Sequence, residues 1–232
     1  VAVVYGTRLE AITMAPLIHA LEGQPWLSTV VLVAGDLGED GLGDVLDVFA
    51  IGPEAADPVS GPIAPNALAD HLDGLDVIVA TGDAARDLTV PDATSLVVVD
   101  RGDSALAVPT ARLHLASTEA RAAELADAGI DDESVRVVGD PAAHALGELM
   151  TDSAGLPNDA MAAVFRDTPS WTEDQQRGYV RESFLHSVLV DPDLRPLLAQ
   201  AVLPLDDDGH VGVRCVEALE ELLVKVDGTG DS

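Results

Sequence analysis

The chain has 232 residues, 47% apolar but only 3% aromatic, and its 41 acidic residues against 12 basic ones leave a formal charge of −29. That length buries a good core, such a charge repels nucleic acid, and no run approaches the ~20 uninterrupted apolar residues of a membrane span. A single cysteine, Cys215, excludes an internal disulfide or a site of several thiolates, and reads as a small buried residue on a helix.

Val1-Ala2-Val3-Val4-Tyr5 is a short apolar run that reads as a strand and not as a signal peptide, so the expected location is the cytoplasm. Gly6-Thr7-Arg8 follows as a tight turn, and Ile12, Ala15, Ile18 and Leu21 lay out one face of a helix. The pattern repeats: an apolar run from Thr29 to Ala34, Gly35-Asp36, then a helix carrying Val45, Leu46, Val48 and Phe49. Residues 52–65 hold four prolines and read as an exposed loop, and a helix is expected at 66–73.

Asp76 to Ala80 is the strongest strand and ends in a polar turn, Thr81-Gly82-Asp83; Ser95 to Val99 is another, ending at Asp100. A short strand near Arg112 to Ala116 leads through Ser117, read as an N-cap, into a helix from about Thr118 to Ala128 that Gly129 stops. Val135 to Val138 is the last strand, Gly139-Asp140-Pro141 turns the chain, and residues 142–150 make a helix. Apolar strands alternating with helices imply a parallel sheet covered on both faces, a Rossmann-like α/β domain over residues 1–150. Residues 151–232 differ: helical stretches are expected near 158–166, 173–190, 193–202 and 210–226, with no strong strand.

Two places carry chemistry. Backbone N–H groups at the helix start beside the Arg8 guanidinium form an anion site for a diphosphate or a carboxylate; alternatively, Arg8 and Glu10 pair across an exposed helix start. Asp83 follows the strongest strand, where open α/β sheets gather ligand-binding and catalytic groups, or it caps the next helix or turn. The six histidines show no metal-ligand spacing, and neither a metal nor a cofactor is expected. Gly38-Glu39-Asp40-Gly41-Leu42-Gly43 is too acidic for a phosphate loop.

Gly6-Thr7-Arg8-Leu9-Glu10-Ala11 with Met14-Ala15-Pro16-Leu17 resembles the first strand-to-helix turn of the UDP-N-acetylglucosamine 2-epimerases, whose pattern is GTRPEA…MAPL. The resemblance continues through Asp44 to Phe49, Gly82-Asp83, Ser117-Thr118-Glu119 and Val138-Gly139-Asp140. Arg181-Glu182-Ser183-Phe184 is similar to the HRRESF segment that opens the family's second domain, and Asp208-Gly209-His210 with Glu217-Ala218-Leu219 to its closing helix. This implies half of a GT-B type fold followed by a shortened, mostly helical remnant of the second domain at 151–232.

The resemblance further implies a UDP-sugar ligand, a homodimer, substrate-binding roles for Arg8, Glu10, Arg181 and Glu182, and catalytic roles for Asp83 and Asp100. Departures point to weak or lost epimerase activity, with a non-catalytic nucleotide-sugar or protein-binding regulatory module as the alternative. Leu9 replaces the family's proline, Asp100 shortens a glutamate, and Ser104 replaces an arginine. The PEE-x-NR and SGG-x-x-EE motifs have no counterpart, and the histidine of HRRESF falls on Tyr179.

The acid is spread along the whole chain and Lys225 is its only lysine, a pattern expected of a globular surface adapted to a high-salt cytoplasm, or of an ordinary acidic protein. The first reading predicts a melting temperature that rises with potassium chloride, as the Debye length falls from ~10 Å at 0.1 M to ~3 Å at 1 M. A thermal melt that stays flat or falls up to molar salt removes it.

Overall fold

The computed structural model describes residues 1–34, 42–51, 71–72, 74–100, 107–153, 184–185, 187–188, 191 and 211–228. The alternation of apolar runs and helical faces becomes β1 (Ala2–Tyr5), α1 (Arg8–Glu22), β2 (Val30–Val33), α2 (Leu42–Phe49), β3 (Val77–Thr81) and α3 (Gly82–Asp87). It continues as β4 (Ser95–Val99), β5 (Leu113–Ala116), α4 (Glu119–Asp127), β6 (Val135–Val137) and α5 (Pro141–Ser153), and α6 spans Val211–Gly228. The strands form one parallel sheet in the order β2-β1-β3-β4-β5-β6.

Burial explains why the central strands are apolar throughout. Every residue of β1, β3, β4 and β5 is buried, whereas the edge strands β2 and β6 are mostly half-buried. Because side chains alternate along a strand, Val3, Tyr5, Val79, Val97, Val99 and Leu115 face one layer, built of α1, α2, α5 and α6. Ala2, Val4, Ile78, Ala80, Leu96 and Val98 face the other, where Leu72, Ala85 and Val108 cover them. This is the Rossmann-like α/β arrangement. Among the described residues, no helix is long and apolar enough to cross a membrane.

The chain beyond residue 153 returns to the same core. Phe184, Val188, Val211, Cys215, Val216, Ala218 and Leu219 are buried in the cluster that contains β1 and α1. Cys215 is a buried member of α6, as its apolar surroundings required, and burial pushes its thiol up to about 12, too high for a reactive thiolate. The helices expected at 158–166 and 193–202 lie outside the described residues, as does most of that expected at 66–73.

Two local readings are corrected. The polar turn expected at Thr81-Gly82-Asp83 is the start of α3, entered directly from β3 with Gly82 at φ +57°. Thr81 does not cap that helix; its hydroxyl donates to the Val99 carbonyl at 2.6 Å. The N-cap of α4 is Thr118, not Ser117: Thr118 has the extended φ of −147°, and its Oγ1 accepts the Arg121 N–H at 3.2 Å. Asp140 does more than turn the chain, since its Oδ1 accepts the Ala143 N–H at 3.0 Å, with Pro141 at the first helical position of α5.

Helix α1 carries Pro16 in its interior, so one backbone donor is missing there, and α6 crosses close to that residue. A Cβ placed on Gly212 would lie 2.2 Å from the Pro16 carbonyl oxygen and 2.8 Å from its carbonyl carbon. Neither atom can move without shifting the helix. Gly212→Ala should therefore destabilise the fold by about 1–3 kcal/mol, read as a lower urea midpoint; an unchanged midpoint would show that the two helices separate freely.

Candidate active site at the carboxyl edge of the sheet

The chain leaves β1 toward β2 on one side and reaches β3 on the other, so β1 and β3 flank the point where the strand order reverses. In open α/β sheets the crevice outside the carboxyl ends at that point is the ligand site. The Gly6–Arg8 turn follows β1 and the Gly82–Asp83 segment follows β3, and the register pairs Val4 with Ala80. Arg8 and Asp83 therefore start from adjacent strands at one edge.

The β1–α1 turn is closed from within. Glu10, 1% exposed, accepts the Gly6 N–H at 2.7 Å and the Thr7 N–H at 3.1 Å through one carboxylate oxygen. Thr7 answers as N-cap, its hydroxyl accepting the Glu10 N–H at 3.3 Å, which completes a capping box. Glu10 thus shapes the turn by occupying two of its donors. The Arg8 guanidinium lies 4.9 Å from the centre of the Phe184 ring, donates to Ser187 Oγ and stands 3.9 Å from the Asp191 carboxylate. Phe184 in turn packs edge-on against Phe49, with ring centres 5.8 Å apart.

A second cluster sits further along the same edge. Asp100, 6% exposed at the end of β4, accepts from Arg121 through both oxygens, Nε to Oδ2 at 3.1 Å and an Nη to Oδ1 at 3.0 Å. Its Oδ2 also takes the Ser117 hydroxyl at 2.7 Å and the Ser117 N–H at 3.3 Å. Arg121 reaches Glu124 as well. A bidentate arginine and a hydroxyl satisfy a buried carboxylate that would otherwise be costly. Asp140, after β6, feels this charge: burial pushes its carboxyl above the ordinary value, the Ala143 and Ala142 N–H groups oppose the shift, and the negative Asp100 adds to it.

Of the residues singled out in the sequence, Arg8, Glu10, Asp83 and Asp100 all belong to elements meeting this edge, while Arg181 and Glu182 lie outside the described residues. Sequence reasoning missed Arg121, Ser187 and Asp191, and it gave Ser117 and Asp140 only local roles as a cap and a turn. The scarcity of basic residues was the available signal, because an arginine among so many carboxylates acquires a partner wherever it is buried.

Other groups do not extend the site. His114 is a buried β5 residue whose Nε2 accepts the Val108 N–H at 3.3 Å, and burial lowers its pKa against the pull of backbone groups at Ser134 and Val108. A cavity of about 240 Å³ between α1, α5 and α6 is lined in part by His19, His144 and Glu148. His19 lies in the last turn of α1, at the other end of that helix from Arg8, and its Nε2 is bonded to the Phe49 carbonyl at 2.7 Å. No group of acidic, histidine or cysteine side chains among the described residues is arranged to hold a metal.

No family model matches the sequence, and no curated protein does. Solved structures do match. The chain superposes on S. aureus MnaA in a co-structure with UDP with a TM-score of 0.52 and 22% identity, over 72% of this chain and 51% of that one. A Neisseria meningitidis UDP-GlcNAc 2-epimerase bound to UDP-GlcNAc gives 0.56 and 16%, over 93% and 74%. Another UDP-N-acetylglucosamine 2-epimerase gives 0.52 and 16%, over 97% and 95%. The chain thus has the Rossmann-like α/β fold of these epimerases, part of a GT-B arrangement, and spans about half the length of the S. aureus protein.

The raised pKa of Asp140 fixes a sign. A carboxyl whose folded value exceeds its unfolded one contributes stability below the unfolded value and loses it as pH rises through the folded one. The ionised Asp140 therefore works against the fold at neutral pH. Asp140→Asn, which keeps the cap, should melt higher than the unsubstituted protein at pH 7 and converge with it as pH falls below the carboxylate range. Asp140→Ala should lose about 1 kcal/mol with the cap. Convergence in the opposite direction contradicts the assignment.

Proposed function

We propose that the chain is a shortened, divergent relative of the UDP-N-acetylglucosamine 2-epimerases that holds a UDP-sugar at the carboxyl edge of its sheet and epimerises it weakly or not at all. The observation that carries this reading is the β1–α1 turn at the switch point, where an arginine stands at a helix N-terminus in a fold shared with the epimerases. Arg8 is assigned to the diphosphate, Glu10 to shaping the turn, Asp83 to proton transfer, and Arg181 with Glu182 to binding the sugar nucleotide. Residues 151–232 are read as a reduced remnant of the second domain, and the protein as a cytoplasmic homodimer with no cofactor.

Epimerisation at C2 requires proton abstraction, elimination of UDP to a glucal, and re-addition after a proton arrives on the other face. Asp100 is poorly placed for that work, since Arg121 and Ser117 already donate to both its oxygens. Each missing acid or base costs ~10²–10⁴ in rate. The same pair favours the second reading, a non-catalytic nucleotide-sugar or protein-binding module, because it is built to hold shape and not to exchange a proton.

Purified protein in molar potassium chloride should bind UDP, measured calorimetrically, and interconvert UDP-N-acetylglucosamine with UDP-N-acetylmannosamine very slowly. Arg8→Ala should weaken UDP binding, whereas Asp83→Asn should reduce turnover more than affinity. Robust turnover abolished by Asp83→Asn overturns the weak-enzyme reading. Absence of UDP binding overturns the ligand assignment.

A further inference from the structure

We propose that Ser187 and Asp191 form an internal competitor for the ligand at Arg8, so that an anion entering the carboxyl edge must first displace this chain's own contacts. The inference rests on the UDP-sugar reading of that edge and adds a regulation to it. Arg8 opens α1, and its guanidinium is engaged from three directions by residues roughly 180 positions away in the sequence. The Phe184 ring lies under it at 4.9 Å, the Ser187 hydroxyl takes one of its N–H groups, and the Asp191 carboxylate stands 3.9 Å from another nitrogen.

These groups imitate an anionic ligand. A carboxylate and a hydroxyl oxygen on an arginine at a helix N-terminus present the charge and acceptors that a phosphate would. The segment is also seated for the task. Ser187 Oγ donates to the Phe184 carbonyl at 2.6 Å, the Asp191 N–H donates to the Ser187 carbonyl at 3.1 Å, and Phe184 and Val188 are buried in the main core. The apolar anchors therefore hold while the polar contacts exchange.

Energetics make the contact displaceable. The Asp191 carboxylate, 31% exposed and 3.9 Å from the guanidinium, is a weak partner, and the Ser187 hydroxyl, which makes the closer contact, is a neutral acceptor that an anion outcompetes. A weak competitor lowers apparent affinity by the fraction of molecules in which Arg8 is available. A diphosphate carries more charge and more acceptors than one carboxylate and wins at sufficient concentration. Among 41 acidic residues Asp191 has no special charge; its place beside Arg8 gives it the role.

The test compares UDP affinity and Asp191 amide exchange in the full chain, in the unsubstituted protein and in Asp191→Asn and Ser187→Ala. Both variants should bind UDP about two- to fivefold more tightly, and saturating UDP should speed exchange of the Asp191 amide in the unsubstituted protein. Weaker binding by the variants would mean that these residues position Arg8 for the ligand, and would overturn the proposal. Equal affinities, or UDP binding with unchanged Asp191 exchange, would overturn it as well. If none of the proteins binds UDP, the ligand reading falls first and the regulation with it, whereas the other negative outcomes leave that reading standing.

Discussion

The carboxylate of Glu10, almost wholly removed from water, accepts two N–H groups of the turn that precedes its own helix. A buried charge of this kind persists only where donors and a favourable dipole meet it, and the N-terminus of α1 supplies both. Much else follows from that closure. Helix α1 touches β1, α2, α5 and α6, so the direction in which it leaves β1 sets the layer on which most of the core is built. It also decides where Arg8 stands.

Cations are scarce in this chain, and several arginines link elements distant in sequence. Arg8 joins α1 to the 184–191 segment, Arg121 joins α4 to the end of β4, and Arg136 in β6 reaches Glu221 in α6. Arg214 in α6 donates to the Val138 carbonyl at 2.8 Å, beside Gly139, whose φ of +96° and close approach to Arg214 suit a residue without a side chain. The half-buried pairs are shielded from salt more than the surface is. A large excess of carboxylates and a set of arginine contacts between distant elements are therefore compatible features of one molecule.

The two clusters at the carboxyl edge differ in kind. Around Arg8 a short hydrogen bond to Ser187 stands beside the longer approaches of Asp191 and the Phe184 ring, at the point where the strand order reverses. Around Asp100 a bidentate arginine and a buried hydroxyl meet one carboxylate, and they tie β4 to the residues that follow β5.

The sequence by itself determined the parallel sheet, since unbroken apolar strands such as Val77–Thr81 and Ser95–Val99 have no stable place except between two helical layers. It also determined the β1–α1 turn, the burial of Cys215 and the approximate ends of α6, all of which rest on local patterns of a few residues. It misassigned the cap of α4, because Ser117 and Thr118 are equivalent by composition and only backbone dihedrals choose between them. Tertiary structure alone decided that Asp100 meets Arg121, that Arg8 meets Ser187 and Asp191, and that α6 returns to pack at Pro16. Those contacts join residues from 21 to 196 positions apart, a span over which neither hydrophobic period nor capping preference carries information. The packing of the whole core fixes them.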